Sequence, residues 1–182
     1  EPGPLPEPEV LEQVPADHPL YVLYSSGTTG VPKAIVHAHG GLLVEHLKVL
    51  GLHADMGPED TFFWFTTTGW MMWNFLVAGL LVGATTVTFD GDPNDDGPAT
   101  LWRLAAETDV TWFGVGAALL SASRRAGLRP GSDFAVPHLR AIGSTGAPLP
   151  APVYQWVYEV FDSNVVLSSI SGGTDVCSAF VG

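Results

Sequence analysis

Cysteine and basic residues are both scarce in this sequence. Cys177 is the only cysteine among 182 residues, so no disulfide can form within the chain, and we expect a small buried side chain in a reducing compartment such as the cytoplasm. Lysine and arginine number 7 against 19 acidic residues, which gives a formal charge of -12. This charge argues against nucleic acid or an anionic membrane as a partner. A phosphate-binding site would therefore depend on backbone N–H groups and a few cations.

The sequence also lacks an apolar run long enough to cross a bilayer. The uncharged stretch 61–89 is interrupted by threonine, glycine and asparagine, and its strictly apolar part, 75–84, is about half of the ~20 residues that a spanning helix needs. The first residues are acidic and rich in proline, unlike a signal peptide. We therefore expect no membrane partner.

Apolar residues are plentiful, at 46%, and they fall into short runs that alternate between strand and helix patterns. Strands are predicted at 20–24, 34–37, 62–65, 85–89, 110–113, 139–142 and 165–170, and helices at 41–51, 70–81, 100–108, 116–126 and 152–161. This alternation predicts an α/β fold with a largely parallel sheet and flanking helices. Residues 1–19 are predicted to be an extended acidic segment or linker, and residues 20–182 to form the domain.

A loop rich in serine, threonine and glycine follows the first predicted strand. Its candidate ligand-binding residues are Ser25, Ser26, Gly27, Thr28, Thr29, Gly30 and Lys33. The glycines allow close backbone approach, and the hydroxyl and N–H groups can surround phosphate oxygens. The spacing fits neither a Walker A loop nor a dinucleotide fingerprint. From its residues alone, the loop is equally consistent with a polar surface turn.

Three further segments follow predicted strands, where ligands of parallel sheets bind. In residues 66–74, Trp70, Met71 and Met72 could line a cavity, although core packing is the simpler alternative for bulky residues here. Residues 143–149 read as a turn, and in residues 171–175 the terminal Asp175 could instead cap a helix. His37 and His39 lack further ligands at metal-site spacing and are interpreted as structural. The aspartates of residues 90–96 are interpreted as a solvated loop.

The string Y-S-S-G-T-T-G-V-P-K at 24–33 is similar to the signature loop of adenylate-forming enzymes, which include acyl-CoA synthetases, luciferases and peptide-synthetase adenylation domains. The resemblance implies part of the large N-terminal domain of an acid–thiol ligase that uses ATP, Mg²⁺ and CoA. The family's hinge and C-terminal catalytic lysine have no match in these 182 residues. We therefore expect a central fragment that needs the remainder of the enzyme for turnover.

The resemblance also implies roles for individual residues. The loop residues 25–30 and Lys33 would bind the β- and γ-phosphates and the departing pyrophosphate. Gly146, Ala147 and Pro148 would pack against adenine, Thr174 would contact the α-phosphate, and Asp175 would support Mg²⁺. Trp70, Met71, Met72, Thr145 and Gly172 would surround the acid. Lys33, Thr174 and Asp175 are thus the predicted catalytic residues.

The same segments indicate the kind of acid. Residues 66–74 contain no aspartate, and an unpaired ammonium group buried there would cost several kcal/mol, which argues against an amino acid. The string S-G-G-T-D at 171–175 resembles the acyl-CoA synthetases that activate acetoacetate, because Gly172 stands where acetyl-CoA synthetases carry tryptophan. The alternatives are a ligase for another short, medium-chain or aryl acid, and a nucleotide-binding fragment without turnover.

Overall fold

A central sheet of five parallel strands forms the body of the molecule. The computed structural model describes residues 11–25, 30–161 and 165–182. The strands of the sheet are β3 (Thr61–Trp64), β4 (Thr85–Val87), β6 (Trp112–Gly116), β7 (Ala141–Thr145) and β8 (Val166–Ser169). Their spatial order is β4-β3-β6-β7-β8, and every neighbouring pair is parallel. The predicted α/β fold with a largely parallel sheet is confirmed.

Helices connect the strands and cover both faces of the sheet. They are α1 (His39–Leu47), which continues as a π-helix over Lys48–His53, α2 (Met72–Ala78), which continues as a 3₁₀ helix over Gly79–Val82, α3 (Thr100–Glu107), α4 (Ala117–Arg125), α5 (Pro130–Asp133) and α6 (Ala151–Val160). A short strand, β5 (Asp95–Pro98), precedes α3. In the part of the chain that the structure describes, no helix combines the length and the apolar character needed to cross a bilayer.

Two small antiparallel hairpins accompany the central sheet. One joins β1 (Pro19–Ser25) to β2 (Lys33–Ala38), and Ser25 lies opposite Lys33 at the end where the chain leaves β1 and returns in β2. The other joins β9 (Ser171–Gly173) to β10 (Ser178–Val181). The first two strands were expected from their apolar runs, whereas no strand was predicted after 165–170. The strand at 171–173 was missed because glycine has low strand propensity and only the pairing with β10 makes these residues a strand.

Alternate residues of each strand face opposite apolar layers, as the pleat requires. Phe63 packs on one face with residues of α3, α4 and α6, whereas Phe62 and Trp64 pack on the other with residues of α2 and the π-helix. The near-continuous apolar character of β3 follows from this burial on both faces.

Two tryptophans lie flat across the sheet on the α2 side, where neighbouring strands supply glycine. The rings of Trp64 and Trp112 stack with centroids 5.7 Å apart. A Cβ at Gly114 would lie 2.1 Å from Cε3 of Trp64, and a Cβ at Gly143 would lie 2.4 Å from Cζ3 of Trp112. The glycines therefore supply the space that the two indole rings fill.

The predicted strands and helices form, but several ends move, and the interpretation of 143–149 as a turn is wrong for 143–145, which belong to β7. The predicted strands 110–113 and 139–142 start two residues later, at Trp112 and Ala141, and continue to Gly116 and Thr145. The strands extend because backbone pairing between β6 and β7 does not depend on side-chain polarity. It continues through Val115, Gly116, Ser144 and Thr145. The predicted helix 70–81 begins at Met72, after a turn in which the Trp70 N–H donates to the Thr67 carbonyl at 3.1 Å.

Candidate functional site

A cavity of about 450 Å³ opens where β7 and β8 end. It lies at the carboxyl edge of the parallel sheet, where ligands of such folds bind. The residues around it come from the start of α2, the loop after β7, the end of β8 and the β9–β10 hairpin; they are Trp70, Met71, Met72, Thr145, Gly146, Ala147, Pro148, Ser169, Ile170, Ser171, Gly172, Gly173, Thr174 and Ser178. Segments far apart in the sequence thus meet at one cavity.

The start of α2 forms one wall. Met72 is 2% exposed and packs into the apolar layer, whereas Trp70 is 37% exposed. Met71 is half-buried between them. Met72 therefore fits the core-packing interpretation, although it also borders the cavity. Trp70 fits the cavity interpretation.

The loop after β7 forms another wall. Gly146 has φ of +86°, a conformation that favours glycine, and a Cβ there would lie 3.9 Å from Cζ2 of Trp70. The Thr145 hydroxyl donates to the Ile170 carbonyl at 3.0 Å, which ties this loop to the end of β8. The predicted adenine and acid segments therefore lie close together at Trp70 and Gly146.

The β9–β10 hairpin closes the third side. A Cβ at Gly172 would lie 1.9 Å from the Ser178 carbonyl oxygen and 2.7 Å from Cα of Ala179, both backbone atoms. The close approach of β9 and β10 thus requires glycine at 172, independently of any effect on the acid. Asp175 lies in the turn between the two strands, so the alternative that it caps a helix is wrong.

A second cavity of about 390 Å³ adjoins the first. Its walls are formed by Leu23, Tyr24, Ser25, Thr68, Gly69, Trp70, Met71, Asn74 and Thr174. Trp70, Met71 and Thr174 border both cavities, so the two cavities are neighbours at these residues. Ser25 brings the end of β1 to this second cavity, and residues 26–29 lie outside the described residues.

Charge is located around the site and not along its walls. Within residues 11–25, 30–161 and 165–182, none of the residues that border either cavity has a side chain that is charged at pH 7. Lys33 and Asp175, the two charged residues predicted for the site, are exposed and border neither cavity. A bound anion would have to be neutralised from the rim, by hydroxyl and N–H groups, or by parts of the protein outside these residues.

Other wall residues had not been singled out from the sequence. Ser169, Ile170 and Ser178 border the first cavity, and Tyr24 and Asn74 border the second. Ser169 and Ile170 could have been found from the rule that strand ends bind ligands. Ser178 had no such signal, because it reaches the cavity only through the pairing of β10 with β9.

The single cysteine agrees with its prediction. Cys177 is fully buried, and this burial raises the pKa of its thiol to about 11. A thiol with a pKa this high is protonated at neutral pH and unreactive. The aspartates of 90–96 are exposed as predicted, and Asp96 pairs with exposed Arg103, but the loop interpretation is wrong for Asp95 and Asp96, which belong to β5.

The sequence pattern of AMP-binding enzymes matches residues 2–181. The chain therefore belongs to the AMP-binding enzyme family. The resemblance of the 24–33 loop to adenylate-forming enzymes is thus confirmed at the level of the whole chain.

Individual relatives narrow the comparison. The chain is 46% identical over 172 residues to acetoacetyl-CoA synthetase of Danio rerio, covering 94% of this chain and 26% of that protein. It is 41% identical to malonamoyl-CoA synthetase of Penicillium aethiopicum, covering 96% of this chain and 26% of that one. The structure of acetoacetyl-CoA synthetase from Streptomyces lividans superposes with a TM-score of 0.89 at 54% identity, covering 93% of this chain and 27% of that one. The chain thus spans about a quarter of the length of these relatives.

Proposed function

We propose that this chain provides the adenylation site of an acid–thiol ligase whose substrates are ATP, a short 3-oxo acid such as acetoacetate, and CoA. The supporting observation is that the predicted acid segment at Trp70, the predicted adenine segment at Gly146 and Thr174 border one cavity at the carboxyl ends of β7 and β8. In this reaction a carboxylate oxygen attacks the α-phosphorus of ATP and pyrophosphate leaves. The CoA thiol then attacks the acyl carbon and AMP leaves.

The nucleotide would extend across both cavities. Adenine would pack against Gly146, Ala147 and Pro148, and the α-phosphate would lie near Thr174, which borders both spaces. The β- and γ-phosphates would then lie toward Ser25 and the loop at 26–30, with Lys33 neutralising the departing pyrophosphate. Reactions of this kind depend on alignment and charge neutralisation more than on a protein nucleophile.

The acid would lie among Trp70, Met71, Met72, Thr145 and Gly172. Two of the relatives are named for acetoacetyl and malonamoyl thioesters, and both acyl groups carry a carbonyl at the third carbon. An uncharged wall of methionine, threonine and serine suits such a group, because a ketone or amide needs hydrogen bonds and no counter-charge. An amino acid is disfavoured, since none of the described wall residues is a carboxylate that could pair with its ammonium group.

Magnesium would enter with the nucleotide. Among the residues that the structure describes, no group of three histidine, cysteine or acidic side chains could hold a metal ion. Asp175, exposed in the hairpin turn beside Thr174, supplies one carboxylate. This fits Mg²⁺, which is commonly held by one or two carboxylates together with substrate phosphates and water. The bound ion would neutralise phosphate charge.

The substrate is tested by acid-dependent ATP–pyrophosphate exchange with the full-length protein. We expect exchange with acetoacetate, weaker exchange with malonamate, and little with acetate, octanoate, benzoate or alanine, followed by AMP formation when CoA is added. Exchange supported only by octanoate or benzoate would contradict the 3-oxo acid assignment.

A second candidate function is nucleotide binding without turnover, for which the neutral walls of the described cavities are the relevant observation. Thermal stabilisation by ATP separates the two. Stabilisation without exchange for any acid in the panel would favour the second candidate and rule out the ligase.

A further inference from the structure

Two histidines hold the turn that carries Thr174 and Asp175. The Nε2 atom of His37 lies 2.8 Å from the Thr174 carbonyl oxygen, and the Nε2 atom of His46 lies 2.8 Å from the Cys177 carbonyl oxygen. Both acceptors are carbonyls, so each Nε2 carries a hydrogen and donates it. The turn, residues 174–177 between β9 and β10, is therefore bound at both ends by side chains from elsewhere.

The turn's own hydrogen bonds are weaker than these. The Cys177 N–H donates to Thr174 at 3.3 Å, and the Val176 N–H donates to Gly173 at 3.3 Å. Cys177 also has φ of +50°, in the left-handed region that non-glycine residues seldom occupy. A conformation with long internal bonds and an unfavourable backbone angle persists only when its surroundings impose it.

Both histidines belong to the chain segment that begins at Lys33. His37 is on β2, whose first residue is Lys33, and His46 is on α1, which follows directly. His46 is buried, and its ring lies nearly perpendicular to the Phe75 ring, with centroids 6.0 Å apart. Burial lowers the pKa of His46, so this histidine is neutral at pH 7. The segment after the phosphate loop therefore sets the position of the turn opposite it.

We propose that His37 is a positioning residue for adenylate formation: its Nε2–H holds the Thr174 carbonyl at a set place relative to Lys33, and His46 secures the other end of the turn. This inference rests on the function proposed above. The α-phosphate, near Thr174, and the departing pyrophosphate, near Lys33, must lie in line for the displacement. A bond that joins β2 to the turn maintains that alignment.

The test compares His37→Leu with His37→Gln in the full-length protein, because the glutamine amide can place an N–H donor near the position of Nε2. We expect His37→Leu to lower kcat for acetoacetate-dependent exchange about 10- to 100-fold, as a small misplacement of reacting groups does, with a smaller change in KM for the acid. His37→Gln should recover most of that rate.

His39→Leu is the matched control. His39 is two residues away and its ring also bonds a backbone carbonyl, that of His18, at 2.9 Å. It does not touch the turn, so exchange should stay at the wild-type rate. Equal losses in His37→Leu and His37→Gln, in parallel with a lower melting temperature, would show a merely structural role and overturn the proposal, as would an unchanged rate in His37→Leu.

Alkylation of Cys177 gives a readout that does not depend on catalysis. The buried thiol should react with iodoacetamide faster in His37→Leu and in His46→Leu than in the wild type or in His39→Leu. The extent of the reaction is measured by mass spectrometry of the peptide that contains Cys177. Unchanged labelling in both variants would show that the histidines do not hold the turn. If the wild type lacks exchange with every acid, the proposed function fails, while the labelling result still decides whether the two histidines hold the turn.

Discussion

Lys33 lies at the start of β2, exposed to solvent and opposite Ser25 in the ladder. Asp175 is likewise exposed, in the turn between β9 and β10. Both charges are therefore outside the two neutral cavities. At this position a lysine loses little solvation energy before the ligand binds and gains its electrostatic effect only when phosphates approach.

Replacing Lys33 with alanine should therefore affect the chemical step. We expect acid-dependent ATP–pyrophosphate exchange of the full-length protein to slow about 100- to 1000-fold, the size typical of a lost electrostatic stabiliser, while the melting temperature stays unchanged. Lys48→Ala is the matched control, because Lys48 is the only other lysine and pairs with Glu45 at 2.7 Å, away from both site cavities. Equal rates for both variants would remove Lys33 from the mechanism.

At the scale of elements, the central strands β3, β6 and β7 are held together by rings that lie over glycine. Trp112 also meets Phe62 edge-on, with centroids 5.7 Å apart, so an aromatic cluster covers the α2 side of the sheet. Edge-to-face and offset contacts of this kind add stability beyond the buried area. The first cavity opens at the carboxyl end of β7, next to this layer of rings.

Gly143→Ala should disturb this layer. The added Cβ would lie 2.4 Å from Cζ3 of Trp112 and 2.7 Å from Cζ3 of Trp64, and both rings are buried. We expect the free energy of unfolding, measured in urea, to fall by about 1 to 3 kcal/mol, which is the usual effect of overpacking a core.

Gly41→Ala controls for the substitution itself. Gly41 is in α1 and has no atom within 4 Å of an added Cβ, so alanine there should be neutral or slightly stabilising. If both variants unfold at the same urea concentration, the tryptophans can move and the proposed role of the glycine is wrong.

At the scale of the whole molecule, one carboxylate joins the starts of three strands, at the edge opposite the site. Asp60, 2% exposed, accepts hydrogen bonds from Arg140 Nε at 2.8 Å, Thr111 Oγ1 at 2.6 Å and the Gly57 N–H at 2.9 Å. These residues lie just before β3, β6 and β7. Burial alone would raise the pKa of Asp60, but the hydrogen bonds from Arg140, Thr111 and Gly57 outweigh it and lower the pKa.

Arg140→Leu should destabilise the protein in a pH-dependent way. Arg140 is 36% exposed, so solvent screens part of the interaction, and we expect a loss of about 2 kcal/mol at pH 7, less than for a fully buried pair. Because the folded pKa of Asp60 is lowered, its stabilisation is complete above its unfolded pKa of about 3.9 and is lost as pH falls through the folded value. The difference between wild type and variant should therefore narrow below about pH 4.

Urea unfolding from pH 3 to 8 checks this expectation. Arg103→Leu is the control, because its pair with Asp96 is exposed on both sides and should contribute little at any pH. If the difference in unfolding free energy between wild type and Arg140→Leu is constant over the whole pH range, protonation of Asp60 does not account for the stability that Arg140 contributes.

Much of this protein could be predicted from local patterns. Three features depend on residues that are close together in the sequence. They are the alternation of strand and helix, the family of the 24–33 loop, and the location of Trp70, Gly146 and Thr174 at strand ends. Apolar periodicity reports which elements form, and parallel strands necessarily bring their carboxyl ends to one edge. The meeting of three segments at one cavity follows from that geometry.

The remaining features depend on contacts between distant residues, which leave no local pattern. His37 and His46 were interpreted only as structural or not singled out, because their acceptors are 137 and 131 residues further along the chain. The strand at Ser171–Gly173 exists through its pairing with β10, and Gly143 is required by rings from two other strands. The sequence by itself thus determined the fold class and the family, through local periodicity and contiguous motifs. Only the tertiary structure decided how the Thr174 turn is held, since a hydrogen bond between distant elements depends on the packing of everything between them.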